Sequence, residues 1–254
     1  MRHQKILQDK LQSQFGYNDY KNYLQKEATE AVYKNEKDIY ICMPSGFGKS
    51  LCFQLPITIK DNSFAIVISP TIASATHQVN YLKSKQILVY NWDAYTSKKI
   101  KFKIKQEMKS RRPKIKLLYI TPEQYISSSF QIILKNIQPN VLSYFVIDEV
   151  HCLSPWSHDY RHSYRKFVEW PLKRPNVPII AVTASATKEV IEDIFKTLQM
   201  KDPLIFTMPV FRSNLFHDIW FIDNLPDPVQ HLKQFIVESL GHVDMSVPKV
   251  SILI

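Results

Sequence analysis

Glycine is scarce: four residues in 254, against 15 prolines. That excludes Gly-rich linkers and low-complexity tracts, and it makes the position of each glycine informative. Cysteine is scarcer still. Cys42, Cys52 and Cys152 show no paired or zinc-type spacing, which speaks against a disulfide scaffold and favours a reduced compartment. No stretch approaches the ~18 consecutive apolar residues of a membrane span. The start, Met1-Arg2-His3-Gln4-Lys5, has no apolar signal core, so a secretory route is not expected. No internal repeat is present. What the chain does have is apolar residues, 45% of the total, enough for a sizeable core in one large domain or two small ones.

The charge is local. Net charge is +10, and the window from Tyr81 to Lys116 alone holds twelve lysines and arginines against Asp93 and Glu107, so the remainder is neutral. A concentrated basic segment favours a polyanion such as nucleic acid. A solvated helix face or a localisation signal is the plainer alternative.

Short apolar runs at 39–42, 64–68, 87–90, 117–120, 144–147 and 179–182 are apolar on consecutive positions rather than alternating. This is the pattern of parallel strands covered on both faces. Helical patterns lie between them at 49–59, 72–84 and 187–199, the last with Thr187 as cap. In the basic segment, Ile100, Phe102 and Ile104 alternate as in a strand, while Ile100, Ile104 and Met108 fit a helix; Ser97 as a cap and the run's length favour the helix. A short helical stretch spans 229–240, before an apolar terminus that suggests a chain cut or spliced short. Strands alternating with helices predict an α/β fold, a doubly wound parallel sheet with helices on both faces.

Two of the four glycines fall in Met43-Pro44-Ser45-Gly46-Phe47-Gly48-Lys49-Ser50. The run follows an expected strand and opens an expected helix, which is the context of a phosphate-binding loop. Backbone N–H groups that turn inward toward a triphosphate need torsions that glycine adopts cheaply. The helix adds its positive N-terminal end. Lys49 supplies a point charge for the β and γ oxygens, and Ser50 a hydroxyl for Mg2+. A strict Walker pattern has Gly where Met43 stands, so the looser helicase form fits better. The second element is Asp148-Glu149-Val150-His151 after the run ending at Ile147. Carboxylates at the C-terminal end of a buried parallel strand sit where such sheets bind ligands. Asp148 would hold Mg2+, and Glu149 would orient and activate water. These residues make Lys49, Asp148 and Glu149 the catalytic candidates.

With these motifs the chain resembles the superfamily-two helicases, specifically the RecQ family of ATP-dependent DNA helicases, from about Phe15 to Asp223. Phe15-Gly16-Tyr17 and Gln25 are similar to the motif preceding the phosphate loop; the resemblance implies that Gln25 reads adenine while Tyr17 and Lys21 lie beside the base. Ser69-Pro70-Thr71-Ile72 with His77-Gln78-Val79 resembles motif Ia, Tyr119-Ile120-Thr121-Pro122-Glu123 motif Ib, and 181–187 motif III. The run 151–161 resembles the family's aromatic-rich loop. It implies DNA contact or coupling by His151, Trp156, His158, Tyr160 and Arg161, with stacking on the aromatic rings. Stretches at 127–131 and 211–216 are similar to the type-five branch.

The resemblance implies a RecA-like lobe over 15–223, an N-terminal extension at 1–14, and a linker at 224–254 toward a second lobe that is not in the chain. It also implies ATP and Mg2+ as cofactors, single-stranded or partly duplex DNA as partner, 3′-to-5′ unwinding, a nuclear location, and work in DNA repair and recombination. Departures cluster at the DNA-coupling surface: Val150 in the acidic box, Pro155 and Ser157 in the aromatic loop, His77, Ser45, Ser185 and His162-Ser163. The expected second lobe would supply an arginine, so hydrolysis by this chain alone is expected to be slow or absent. Two other readings stand beside this one. One is a short chain that binds nucleic acid or partners without unwinding; the other, poorly supported, is an unrelated P-loop phosphotransferase.

Overall fold

The computed structural model describes residues 2–138, 140–159, 164, 176–209 and 220–241. Tyr160, Arg161 and His162-Ser163 lie outside the described residues. The chain divides into two units, Met1–Val210 and Phe211–Ile254; the sequence boundary at Asp223 falls within the second.

Among the described residues, the first unit has seven strands: β1 (Ile39–Cys42), β2 (Phe64–Ile68), β3 (Val89–Trp92), β4 (Leu117–Ile120), β5 (Leu142–Ile147), β6 (Ile179–Thr183) and β7 (Leu204–Thr207). They form one sheet in the order β3-β4-β2-β5-β6-β1-β7, and every pairing is parallel. The helices of this unit, among the described residues, are α1 (Arg2–Lys10), α2 (Tyr23–Lys34), α3 (Lys49–Ile59), α4 (Ile72–Ser84), α5 (Lys98–Lys109), α6 (Pro122–Tyr125), α7 (Ser128–Lys135) and α8 (Lys188–Thr197).

The consecutive apolar runs have a simple cause. Along β2, Phe64, Ile66 and Ile68 enter one apolar layer while Ala65 and Val67 enter the other. The first layer takes Ile104 and Met108 of α5, Phe130 of α7 and Ile194 of α8. The second takes Val32 of α2, Leu55 of α3 and Val79 of α4. With both faces covered, neither can be polar. Leu7, Leu11 and Phe15 are also buried in the second layer, so residues at the start of the chain are part of this core.

The expected helices at 49–59 and 72–84 match α3 and α4, and Ser97 and Thr187 accept from Ile100 N–H and Val190 N–H as caps of α5 and α8. One strand is displaced. The run 87–90 was expected to pair, but β3 begins at Val89. Gln86 has φ +60, and Ile87 N–H donates back to the Leu82 carbonyl at 3.1 Å. Ile87 is buried as part of the C-cap of α4, not of a ladder. The edge strand β7 was not among the expected strands: its apolar run, Leu204-Ile205-Phe206, is only three residues long, and in the structure it is largely exposed.

In the second unit, a short 3-10 turn at Ile222–Asn224 precedes α9 (Pro228–Gly241). Trp220 meets His231 and Phe235 edge-on, with ring centroids 4.1 and 5.0 Å away. No helix among the described residues is long and apolar enough to cross a membrane.

Candidate functional site

A parallel sheet brings all its C-terminal strand ends to one rim. The segments at 43–48, 69–71, 121, 148–149 and 184–187 follow β1, β2, β4, β5 and β6, so the motifs separated in sequence converge there.

The candidate phosphate loop, 43–48, is anchored at its base, where Met43 N–H donates to the Thr183 carbonyl at 3.2 Å. Gly46 and Gly48 have φ +86 and +80, the left-handed region that other residues enter at a cost. Gly48 has a second constraint: a Cβ there would lie 2.3 Å from Nε2 of Gln25. Lys49 and Ser50 then open α3, where free N–H groups and the helix dipole favour an anion.

Gln25 is 1% exposed, and its amide is held at both ends. Its Oε1 accepts from Lys21 N–H at 2.7 Å, and its Nε2 donates to the Gly48 carbonyl at 3.0 Å. Lys21 Nζ donates to the Gly46 carbonyl at 2.7 Å. One lone pair and one N–H of the Gln25 amide stay available for a base edge. Tyr17 shares a hydroxyl–hydroxyl bond of 2.9 Å with Tyr81 of α4. Tyr17, Lys21, Gln25, Gly48 and Ser50 line one cavity of about 220 Å3 with His77, Gln78 and Tyr81.

Asp148 extends β5 by one residue, its N–H donating to the Ile68 carbonyl at 2.9 Å. The residue is 5% exposed, and its carboxyl is pushed up to about 6 by burial, then by the neighbouring Glu149; the Lys49 charge and the Gln78 bond oppose this. Gln78 Nε2 donates to Oδ2 at 3.2 Å, and Glu149 N–H to Oδ1 at 3.2 Å. The Gln78 amide is itself oriented. Its Oε1 accepts from Tyr119 O–H and from Gln54 Nε2, each at 2.9 Å, and Gln54 Nε2 also donates to the Tyr119 oxygen. Turning that amide over would set N–H against two donors. Sequence reasoning missed Gln54 and Tyr119 as site residues. The signal was there for Gln54, a single amide within the apolar run Leu51-Cys52-Phe53-Gln54-Leu55.

This network makes a prediction. Gln78→Leu removes a charge-assisted bond to a buried carboxylate and the acceptor of two donors. We expect a loss of about 2–3 kcal/mol, read as a lower urea midpoint with an unchanged slope.

Glu149 adopts φ +49, a strained conformation for a side chain of its size and of a kind that gathers at functional sites. Beyond it, His151 Nδ1 lies 2.8 Å from the Thr183 hydroxyl and 3.4 Å from a Glu149 carboxylate oxygen, while Nε2 lies 3.4 Å from Asp159. Thr183 donates its own hydroxyl proton to the Ser185 carbonyl at 2.9 Å. The hydroxyl therefore accepts from Nδ1–H, which assigns that proton. His151 thus joins the acidic end of β5 to the loop after β6. Val150, the departure in the acidic box, is fully buried in the core. Trp156 is 73% exposed, so it is not a core aromatic. With His151, His158 and residues 184–187 it lines an open groove of about 730 Å3.

Among the described residues no group of three or more His, Cys, Asp or Glu side chains converges as a metal cage. Mg2+ does not need one. It binds through one or two carboxylate or hydroxyl oxygens together with substrate phosphates, and the uncommitted lone pairs of Asp148 with the Ser50 hydroxyl suit that chemistry.

The DEAD/DEAH box helicase family matches residues 22–194. The chain is 40% identical to ATP-dependent DNA helicase Q5 of Rattus norvegicus over 233 residues, which is 91% of this chain and 24% of that protein. It is 36% identical to the RecQ-like DNA helicase blm-1 of Caenorhabditis elegans, over 85% of this chain and 22% of that protein. The chain thus spans about a quarter of the length of these curated relatives. Its fold is similar to a crystal structure of the DUF1998 helicase MrfA, with TM-score 0.58, 18% identity and coverage of 96% and 42% of the two chains. It is also similar to the Pyrococcus furiosus Hef helicase domain, with TM-score 0.50, 18% identity and coverage of 70% and 37%. Glycines in left-handed torsions at the end of β1, a buried acid at the end of β5 and a family match over most of the first unit lead to one conclusion: the chain belongs to the DEAD/DEAH box helicases, and the curated relatives named here are of the RecQ type.

Proposed function

We propose that this chain is the ATP-binding RecA-like lobe of a RecQ-type, ATP-dependent 3′-to-5′ DNA helicase, in which hydrolysis is coupled to DNA unwinding by a complete two-lobed enzyme. One observation carries the reading: the phosphate loop and the buried Asp148 share one rim, and the Lys49 charge acts on the Asp148 carboxyl.

In this reading the N–H groups of Gly46, Gly48, Lys49 and Ser50 and the Lys49 ammonium bind the phosphates, while Phe47 N–H stays on the Pro44 carbonyl. Ser50 and Asp148 hold Mg2+, which neutralises phosphate charge when bound. Glu149 orients the attacking water and takes its proton. His151 and Thr183 relay the state of the acid to the Trp156 groove, where single-stranded or partly duplex DNA would stack. Action in the nucleus, in repair and recombination, follows from the family resemblance; a fluorescent fusion found outside the nucleus would count against it.

The test is ATP hydrolysis and binding of labelled ATP by the purified chain, with and without single-stranded DNA, beside Lys49→Ala. We expect ATP to bind and turnover to stay near background, because an arginine supplied by a second lobe contributes on the order of 10³–10⁵ in rate. Lys49→Ala should weaken ATP binding at least tenfold. Equal ATP binding by the variant would sink the assignment of Lys49, and brisk DNA-stimulated turnover would sink the need for a second lobe.

A further inference from the structure

Six of the twelve basic residues of 81–116 lie on helix α5, which the nucleotide site does not use. Helix α5 packs on the core through Ile104 and Met108. Lys101 and Lys105 flank that contact, with their ammonium groups 5.5 and 5.9 Å from the centre of the Trp92 ring. At helical spacing the opposite face carries Lys98, Lys99, Phe102 and Lys109, all exposed. The two acids of the segment are turned to backbone and form no ion pair with this face. Glu107 accepts from the N–H groups of Lys114 and Ile115, and Asp93 accepts from those of Tyr95 and Thr96. Among the described residues no lysine or arginine of 81–116 forms a salt bridge.

Aromatic rings stand among these charges. Phe102 is 62% exposed in the middle of the lysine face, and Tyr95 is 86% exposed in the loop leading into α5. That loop is rigid: Asp93 Oδ1 accepts from Tyr95 N–H at 2.9 Å, Thr96 N–H at 2.8 Å and the Thr96 hydroxyl at 2.8 Å. Presenting Tyr95 to a ligand therefore costs little ordering. The loop follows β3, so it lies on the same rim as the segments after β4, β2 and β5, at the β3 edge of the sheet.

We infer that the outer face of α5 and the Tyr95 loop form a second binding surface, for single-stranded nucleic acid, with Lys98, Lys99 and Lys109 on phosphates and Phe102 and Tyr95 as stacking platforms. A row of uncompensated lysines selects a polyanion. The exposed rings select one with accessible base faces, because stacking needs bases that are not paired within a duplex. A single strand leaving the Trp156 groove along the rim would run onto this face. The inference rests on the helicase reading only for that path, not for the binding itself.

The test measures a fluorescent oligo-dT by polarisation over a salt series, with a fluorescent ATP analogue and Mg2+ as a fold control. Lys98→Glu, Lys99→Glu and Lys109→Glu combined should weaken oligo-dT binding more than tenfold. They should also flatten the slope of log K against log salt by about two units, at ~0.7 per phosphate contact on a single strand. Phe102→Ala and Tyr95→Ala should each cost about five- to 150-fold. ATP-analogue binding should be unchanged in all of them. Parent-like oligo-dT affinity and slope in the charge variant would overturn the inference, as would absence of binding by the parent at low salt. If polyglutamate competes as well as oligo-dT and the ring variants are neutral, the surface is a docking site for acidic protein and the inference fails. Loss of ATP binding by the parent with oligo-dT binding intact would sink the proposed function and leave this surface standing.

Discussion

Asp148→Asn is expected to make the protein more stable at neutral pH while removing the Mg2+ dependence of ATP binding. The folded carboxyl sits at about 6, above its ordinary value of 3.8, because burial and Glu149 oppose its charge. The folded state therefore holds this proton more tightly than the unfolded chain. Its stabilising effect is complete below about pH 4 and is lost as the pH rises through about 6. Above that pH the ionised carboxylate costs at most about 2–3 kcal/mol, from ~1.4 kcal/mol for each pKa unit. Asparagine carries no such charge; its single oxygen can still accept from Gln78, while its NH2 would face the Glu149 N–H, which offsets part of the gain. The variant should melt several degrees higher at pH 7, at roughly 2–4 °C per kcal/mol for a chain of this size. The advantage should shrink toward zero near pH 4. An equal or lower melting temperature at pH 7 would contradict the burial argument. Unchanged Mg2+ dependence of ATP binding would contradict the role of the carboxylate. The expected trade is the familiar one in which a functional site is held at the expense of stability.

Gly48→Ala is expected to abolish ATP binding with only a moderate loss of stability. The left-handed torsion costs an alanine about 1–2 kcal/mol. The larger effect is steric, since the new methyl would lie 2.3 Å from the Gln25 amide nitrogen. Gln25 is buried and bonded at both ends, so it cannot swing aside without breaking its hold on Gly48 and on Lys21. The loop and the base-side residues would move together. We expect labelled ATP to bind at least a hundredfold more weakly, as when catalytic groups are displaced by about 1 Å. Gly46→Ala is the informative comparison. It has a similar torsion but nothing within 4 Å of the added carbon, so it should cost stability alone and retain most binding. Equal loss in both variants would mean that torsion, and not the contact with Gln25, governs the loop.

Much of the fold was open to reading because covering a parallel sheet on both faces leaves an unambiguous mark. The apolar runs of β1, β2, β4 and β6 are consecutive, and local caps at Ser97 and Thr187 mark where α5 and α8 begin. The candidate site was legible to the same extent. Gly46, Gly48, Lys49, Asp148 and Glu149 are close in sequence to the strands that display them, so strand-end position alone places them on the rim.

The rest depended on contacts between residues distant in the chain. Gln54, Gln78 and Tyr119 belong to three different elements, and only packing of α3, α4 and β4 closes their triangle behind Asp148. The 2.3 Å constraint on Gly48 exists because α2 lays Gln25 against the loop. Likewise, composition located the charge at 81–116, but burial of Ile104 and Met108 decided which side of α5 faces solvent. Periodicity, capping and glycine placement act over a few residues, so the sequence alone determined most of the strands, though neither the start of β3 nor β7, and the positions of the glycine loop and the acidic pair. Hydrogen bonds between elements and the choice of exposed face are set by how helices settle on the sheet, and only the tertiary structure decided them.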